Sequence, residues 1–421
     1  MQFSHTISFI QRRFATMVAP MPSIKLSQTS AVLSALLLLT AVITQAQTIT
    51  ALYSFCSVGD NNCAAGPDGS FPQSALTRDL NGGFYGTTYE GGLSYGAVFR
   101  LSPNGSGGWN ETIIYKFTGG AAGSIPWFSN VILDKTGDLY GTLAYGGNGA
   151  DGYGVIFKLS PAGADWKETV LYRFLGGTDG ASPINGLVLE HSGILYGKTK
   201  NGGTGGNGTI FELSPSVGGW KERVIYNLDA GYAGLVLDAA GNIYSTSATT
   251  VFRLSQNSDG TWTPKILHTF SGVTDGSFPA GTPVFDASGN LYGTTVMGGA
   301  TNQGTVYKLT PQPNGQWKED ILHSFPGGSK GSQPWAGIVF DPAGNIYGST
   351  LLGPESGLVY ELIPTDANSY KEEILAAFTG VGGSMGLFSD GSLILDTAGD
   401  IFGTTEGGGQ NAAGTVFKIT R

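Results

Sequence analysis

The chain has 421 residues, of which 68 are glycine and 13% are charged, with a formal net charge of −9. An acidic surface repels phosphate backbones, which excludes nucleic acid as a partner. Hydrophobic residues make up 40% of the chain and are interspersed with the glycines, which excludes a disordered glycine-rich linker and points to a folded, turn-rich protein.

Residues 1–46 read as an export leader. Lys25 precedes the apolar run Ala31 to Ile43, which is short for a bilayer span, and Thr44-Gln45-Ala46 supplies a small-x-small cleavage pattern. Cleavage after Ala46 is expected, with translation beginning at Met1, Met17 or Met21. The product is then secreted, free in the medium, in a periplasm or at a cell surface, with no membrane span and no carboxy-terminal anchor in the mature chain. Cys56 and Cys63 follow in one loop and are expected to form a local disulfide, worth roughly 2.5 kcal/mol by loop-closure entropy.

From there a unit returns seven times, anchored on Tyr85, Tyr140, Tyr196, Tyr244, Tyr292, Tyr347 and Phe402, at spacings of 55, 56, 48, 48, 55 and 55 residues. A regular period of this size marks one supersecondary unit repeated within a single body. The second copy shows the layout. Strand A is Asn130 to Asp134, a tight turn leads to strand B from Leu139 to Leu143, strand C runs from Gly154 to Ser160, and strand D from Trp166 to Phe174. Four-stranded units of this length build an all-β, antiparallel, seven-bladed propeller.

The blades span 74–117, 129–174, 185–227, 233–270, 280–325, 336–378, and 391–420 joined by 47–55, within one domain from 47 to 421. The last blade lacks its own strand D, and Gln47 to Phe55 aligns with that strand, so the first segment is expected to complete the final blade and close the ring. Gly186, Gly234, Gly281 and Gly337 open strand A, where strands converging on an axis approach closely.

The acids Asp79, Asp134, Glu190, Asp238, Asp286, Asp341 and Asp396 recur at the A to B turn, where an Asp side chain bonds the turn backbone. They are structural, as are Trp109, Trp166, Trp220, Trp262 and Trp317 at the start of strand D. His268 and His323 fill the strand D slot that holds Tyr53, Tyr115, Tyr172 and Tyr226 in other copies. His191 lies at an A to B turn. No Ser, His and acid set assembles on one face, and no metal-ligand spacing occurs, so neither a catalytic residue, a cofactor nor a metal is expected.

The long loops, B to C and D to A, share one face, and both are shortened at blade four, at Asp229 to Tyr232 and Ser247 to Thr250. A notch giving side access to the axis is expected there. Trp127, Trp335, Tyr89, Tyr145 and Tyr232 are the candidate stacking residues for a ligand. Glu90, Asp151, Glu355 and Glu406 are the loop carboxylates available to an enzyme on the same scaffold.

The repeated Gly-Asn-Leu-Tyr-Gly-Thr-Thr, Gly-Thr-Val-Phe/Tyr-Lys-Leu and Trp-Lys-Glu-x-x-Leu-Tyr/His-x-Phe pattern, over nearly all of 47–421, resembles the GloVer-type tandem repeats of exported bacterial proteins. That resemblance implies an extracellular setting and no assigned activity. The Asp-x-x-Gly-Asn-Ile/Leu-Tyr piece is also similar to the A to B turn of NHL-type propellers. The functional expectation is a secreted, monomeric binding module for an extracellular polysaccharide or protein; the alternative is a polysaccharide lyase or glycosidase using loop carboxylates.

Overall fold

The computed structural model describes residues 47–57, 67–149, 152–366, 368–378, 386–387 and 391–421. The leader and its cleavage site, Asp151, Cys63 and with it the Cys56–Cys63 bridge, and most of the loop from Thr379 to Gly391 lie outside the described residues.

Seven four-stranded antiparallel sheets form the ring. In blade five, strand A is Val284–Phe285, B is Leu291–Thr295, C is Thr305–Pro311 and D is Trp317–Ser324. The other blades repeat that order. In blade seven, A is Ile394–Leu395, B is Ile401–Thr405 and C is Thr415–Thr420, and C pairs antiparallel with Thr48–Ser54, with Ala51 opposite Phe417.

Each blade is one sheet thick, so it has no interior, and the seven apolar clusters lie between sheets. The phenylalanine that ends strand D plugs into the next blade against the aromatic of its strand C. Ring centroids are 5.0 Å apart for Phe117 and Phe157, 5.2 Å for Phe174 and Phe211, 5.1 Å for Phe270 and Tyr307, and 5.0 Å for Phe325 and Tyr360. The same joint links Phe378 to Phe417 at 5.4 Å and Phe55 to Phe99 at 5.0 Å. Each such ring contributes roughly 1.5–3 kcal/mol by burial. Strand D tryptophans pack backwards: Trp166 lies 6.2 Å from Tyr85 and Trp262 lies 5.9 Å from Tyr196.

The recurrent motif has two steric reasons. Its glycine leaves room for the strand C aromatic, because a Cβ on Gly348 would stand 2.3 Å from the Tyr360 hydroxyl and one on Gly86 would stand 2.4 Å from the Phe99 ring. Its tyrosine closes the A to B turn. Asp286 accepts from the Ser288 and Asn290 amides at 2.8 and 2.9 Å with one carboxylate oxygen, and from the Tyr292 hydroxyl at 3.1 Å with the other. Asp134, Asp238 and Asp341 do the same. Those bonds outweigh burial and hold Asp134, Asp238 and Asp286 below the usual carboxylate range.

Strand A is shorter than its apolar pattern suggests in every blade but the third, where it runs from Ala181 to Leu189. In blade two only Ile132–Leu133 pairs with strand B, because the residues before it turn toward neighbouring blades at the axis. Cβ atoms on Gly281 and Gly337 would meet the Ala336 carbonyl at 2.7 Å and the Thr282 carbonyl at 2.9 Å. These close backbone approaches bring the entries to strand A together around one small mouth.

Candidate functional site

Around the axis these strand entries line an open cavity of about 80 Å3. Gln73, Asn130 and Asn185 bring amides to the lining, Thr282 and Ser392 bring hydroxyls, and Phe128, Tyr232 and Trp335 bring rings. None of the lining residues, among those described, carries a formal charge.

Three of the five candidate stacking residues belong to one arc. Tyr232 and Trp335 are 5.7 Å apart, and Phe278 completes a triangle at 5.7 Å from Tyr232 and 5.5 Å from Trp335. The Lys200 ammonium lies 4.0 Å from the Trp127 ring centre and 5.5 Å from that of Tyr232, extending the arc from blade two to blade six. The short loops of blade four are where the sequence places them: Ser247 and Thr250 close a tight turn at 2.9 Å, and Tyr232 turns toward Phe278 and Trp335.

Tyr89 and Tyr145 form a second group. Burial raises the Tyr89 phenol above its ordinary value, and Tyr145, Glu90 and Glu406 add to the shift. No ring contact joins this pair to the arc among the described residues. Glu406 approaches the mouth through Gln73, whose amide donates to it at 2.9 Å.

Two features escape a reading of each motif by itself. The first is Lys198, which stands in strand B of blade three at the position of Thr87, Thr294 and Thr404. In those copies the hydroxyl donates to a carbonyl of the next blade, at Ser129, Ala336 and Ser74 respectively. Lys198 spans the same joint with an ammonium that donates to the Ala233 carbonyl at 2.8 Å, and to the Ser245 hydroxyl and Thr246 carbonyl at 3.3 Å each. Its side chain is buried, all three acceptors are neutral, and burial alone pushes its pKa down to about 7.

The second is a carboxylate-lined slot between successive strands D. Glu111 is pushed up to about 8 by burial, then by Asp68, and Glu222 to about 8 by burial, then by Asp179. At the joint of blades four and five the corresponding residues are His268, Asp275 and Glu319, with one potential ligand atom from each within 4.8 Å of the others. His268 does occupy the tyrosine slot, but the structure brings together a ligand set that spacing along the chain does not show. The signal available to a sequence reading was the alignment of repeats, which places Asp68, Asp179 and Asp275 before the same loop glycine.

A profile described as the Gloeobacter/Verrucomicrobia repeat matches residues 72–250 and again 233–421. No curated protein matches the sequence. Among solved structures, selenomethionine-substituted virginiamycin B lyase from Staphylococcus aureus is similar at a TM-score of 0.52 and 13% identity, covering 89% of this chain and 99% of that one. A catalytically inactive variant of that lyase with quinupristin is similar at 0.52 and 14%, with the same shares covered. The polysaccharide lyase Uly1 scores 0.48 at 14% identity, with 87% and 94% covered. At these identities the likeness concerns the propeller fold alone.

Proposed function

The chain belongs to the Gloeobacter/Verrucomicrobia repeat family, and from that premise we propose that it is a secreted propeller whose axial mouth binds an extracellular polysaccharide. The observation that carries this reading is the composition of the mouth: rings, amides and hydroxyls without a formal charge among the described lining residues. Faces of Tyr and Trp stack on the apolar faces of sugar rings, and amides and hydroxyls bond their hydroxyl groups. General acid and base chemistry needs carboxylates aimed into the site, and the described lining offers none. In this reading the leader is removed after Ala46, and a Cys56–Cys63 bridge staples the loop that follows the strand completing blade seven. The Lys200 ammonium orders the arc by holding Trp127 and Tyr232 to one cation.

The test is a glycan and peptide array probed with residues 47–421, alongside an assay for released reducing ends. Trp335→Ala and Tyr232→Ala are each expected to weaken glycan binding about tenfold, since an aromatic contact is worth roughly 0.5–1.5 kcal/mol beyond its area. Equal binding by both variants, or binding of peptides only, removes the polysaccharide reading. Release of reducing ends moves the assignment to an enzyme, with Glu406 as the first carboxylate to substitute.

A further inference from the structure

The strand D slots form a series in which one architecture receives different side chains. Between blades two and three, the Tyr172 hydroxyl donates to Asp179 at 2.7 Å, above Glu222 on the next blade. Between blades seven and one, the Tyr53 hydroxyl donates to Asp68 at 2.8 Å, beside Glu111. Between blades five and six a lysine replaces the aspartate, and the Lys330 ammonium lies 3.6 Å from Glu372 while His323 Nε2 lies 3.8 Å from it. Each of these slots therefore contains a hydroxyl or an ammonium directed at a carboxylate.

The slot between blades four and five differs in setting an imidazole between two carboxylates. His268 Nε2 lies 3.6 Å from an Asp275 oxygen and 3.5 Å from a Glu319 oxygen, beyond hydrogen-bond reach of both. His268 Nε2 and Glu319 Oε1 are buried atoms with no hydrogen-bond partner within the protein, as are His323 Nε2 and Glu372 Oε1 in the next slot; the difference is that Asp275 stands here where that slot has the Lys330 ammonium beside its glutamate. Orphaned acceptors of this kind cost roughly 1–3 kcal/mol each. The surrounding contacts fix the side chains: Asp275 accepts the Ser271 amide at 2.8 Å and the Ser271 hydroxyl, and the imidazole stands edge-on to Phe270 at 4.7 Å.

The separations have a metric meaning. Zinc binds His nitrogen and carboxylate oxygen at about 2.0–2.2 Å in a tetrahedron, so its ligand atoms lie about 3.3–3.6 Å apart. Two of the three edges here are 3.5 and 3.6 Å, and the third lies within 4.8 Å. An imidazole beside two carboxylates selects against calcium and magnesium, which take all-oxygen shells, and for the zinc class of divalent ions.

We propose that His268, Asp275 and Glu319 bind one zinc-class divalent cation through Nε2 and one oxygen of each carboxylate, joining blade four to blade five at the loop-bearing face. The cation replaces the hydroxyl or ammonium that the neighbouring slots contribute themselves, and a solvent molecule completes the tetrahedron. The site is independent of the axial mouth, so its failure leaves the polysaccharide reading untouched.

The test uses residues 47–421 stripped with a chelator, titrated with zinc chloride by calorimetry, and scanned for thermal unfolding with and without zinc. His268→Tyr is the decisive variant because tyrosine occupies this slot in other blades and is expected to preserve the fold; Asp275→Asn is the second. Wild type should take up one equivalent and unfold several degrees higher with zinc. Both variants should lose at least tenfold in affinity and most of the thermal shift, while His323→Tyr binds as wild type. The proposal is overturned if wild type takes up no equivalent, if His268→Tyr binds as tightly as wild type, or if His323→Tyr loses as much as His268→Tyr.

Discussion

Lys198 gives the sharpest prediction, because its buried charge ties the joint between blades three and four to pH. The side chain sits near a pKa of about 7 in the folded protein and at 10.5 in the unfolded chain. Between those values the unfolded chain binds more protons than the folded one, so this group's contribution to stability increases as pH rises from 7 toward 10.5. From pH 6 to pH 9, two-state linkage with those pKa values gives an increase of about 2–3 kcal/mol. Lys198→Met keeps the length and removes the titration. It also leaves the Ala233 and Thr246 carbonyls without this donor, a cost of about 1–3 kcal/mol that does not depend on pH. Urea unfolding of wild type and variant at pH 6, 7, 8 and 9 isolates the group, since all other titrations cancel in the difference. Wild type should gain on the variant by about 2–3 kcal/mol across the range. Parallel profiles would refute the buried, uncompensated ammonium.

Glu222 moves the opposite way. Its pKa of about 8 in the fold against 4.5 unfolded makes its contribution fully present below the unfolded value and lost as pH rises through 8. Glu222→Gln should therefore unfold at progressively higher urea relative to wild type between pH 5 and pH 9, and a constant difference would show that Glu222 titrates normally. Gly348→Ala places a methyl against the buried Tyr360 ring, and overpacking of this kind costs about 1–3 kcal/mol. Thermal unfolding should record the loss, and an unchanged midpoint would mean that the ring yields freely.

The ring was legible because its evidence is periodic. Spacing, the Asp and Tyr of the A to B turn, and the apolar end of strand D repeat seven times, so chance resemblance in one copy is corrected by the others. The length of strand A was not legible, since Asn130 and Val131 look like strand residues yet only Ile132–Leu133 pairs in blade two, while blade three keeps Ala181 to Leu189 in its sheet. The stacking candidates were half legible. Position after proline marked Trp127 and Trp335, but the cation between Trp127 and Tyr232 comes from Lys200 on blade three, a contact that no local motif encodes. The slot of His268, Asp275 and Glu319 is assembled from two blades and a loop, and each residue has an ordinary structural reading by itself.

Repetition also makes departures informative. Thr87, Thr294 and Thr404 show that a hydroxyl suffices to join strand B to the next blade, yet Lys198 buries an ammonium there at a cost in stability below pH 10. Tyr53 and Tyr172 show that a phenol can donate to the carboxylate of the strand D slot, whereas His268 Nε2 stops 3.6 Å short of Asp275. Both departures, the shortened loops and the ring contacts of Tyr232 with Phe278 and Trp335 fall within blades three to six. A fold that solves the same joint more favourably elsewhere does not need these residues for folding, and local conflicts of this kind are the ones expected where a binding surface sets the choice of side chain.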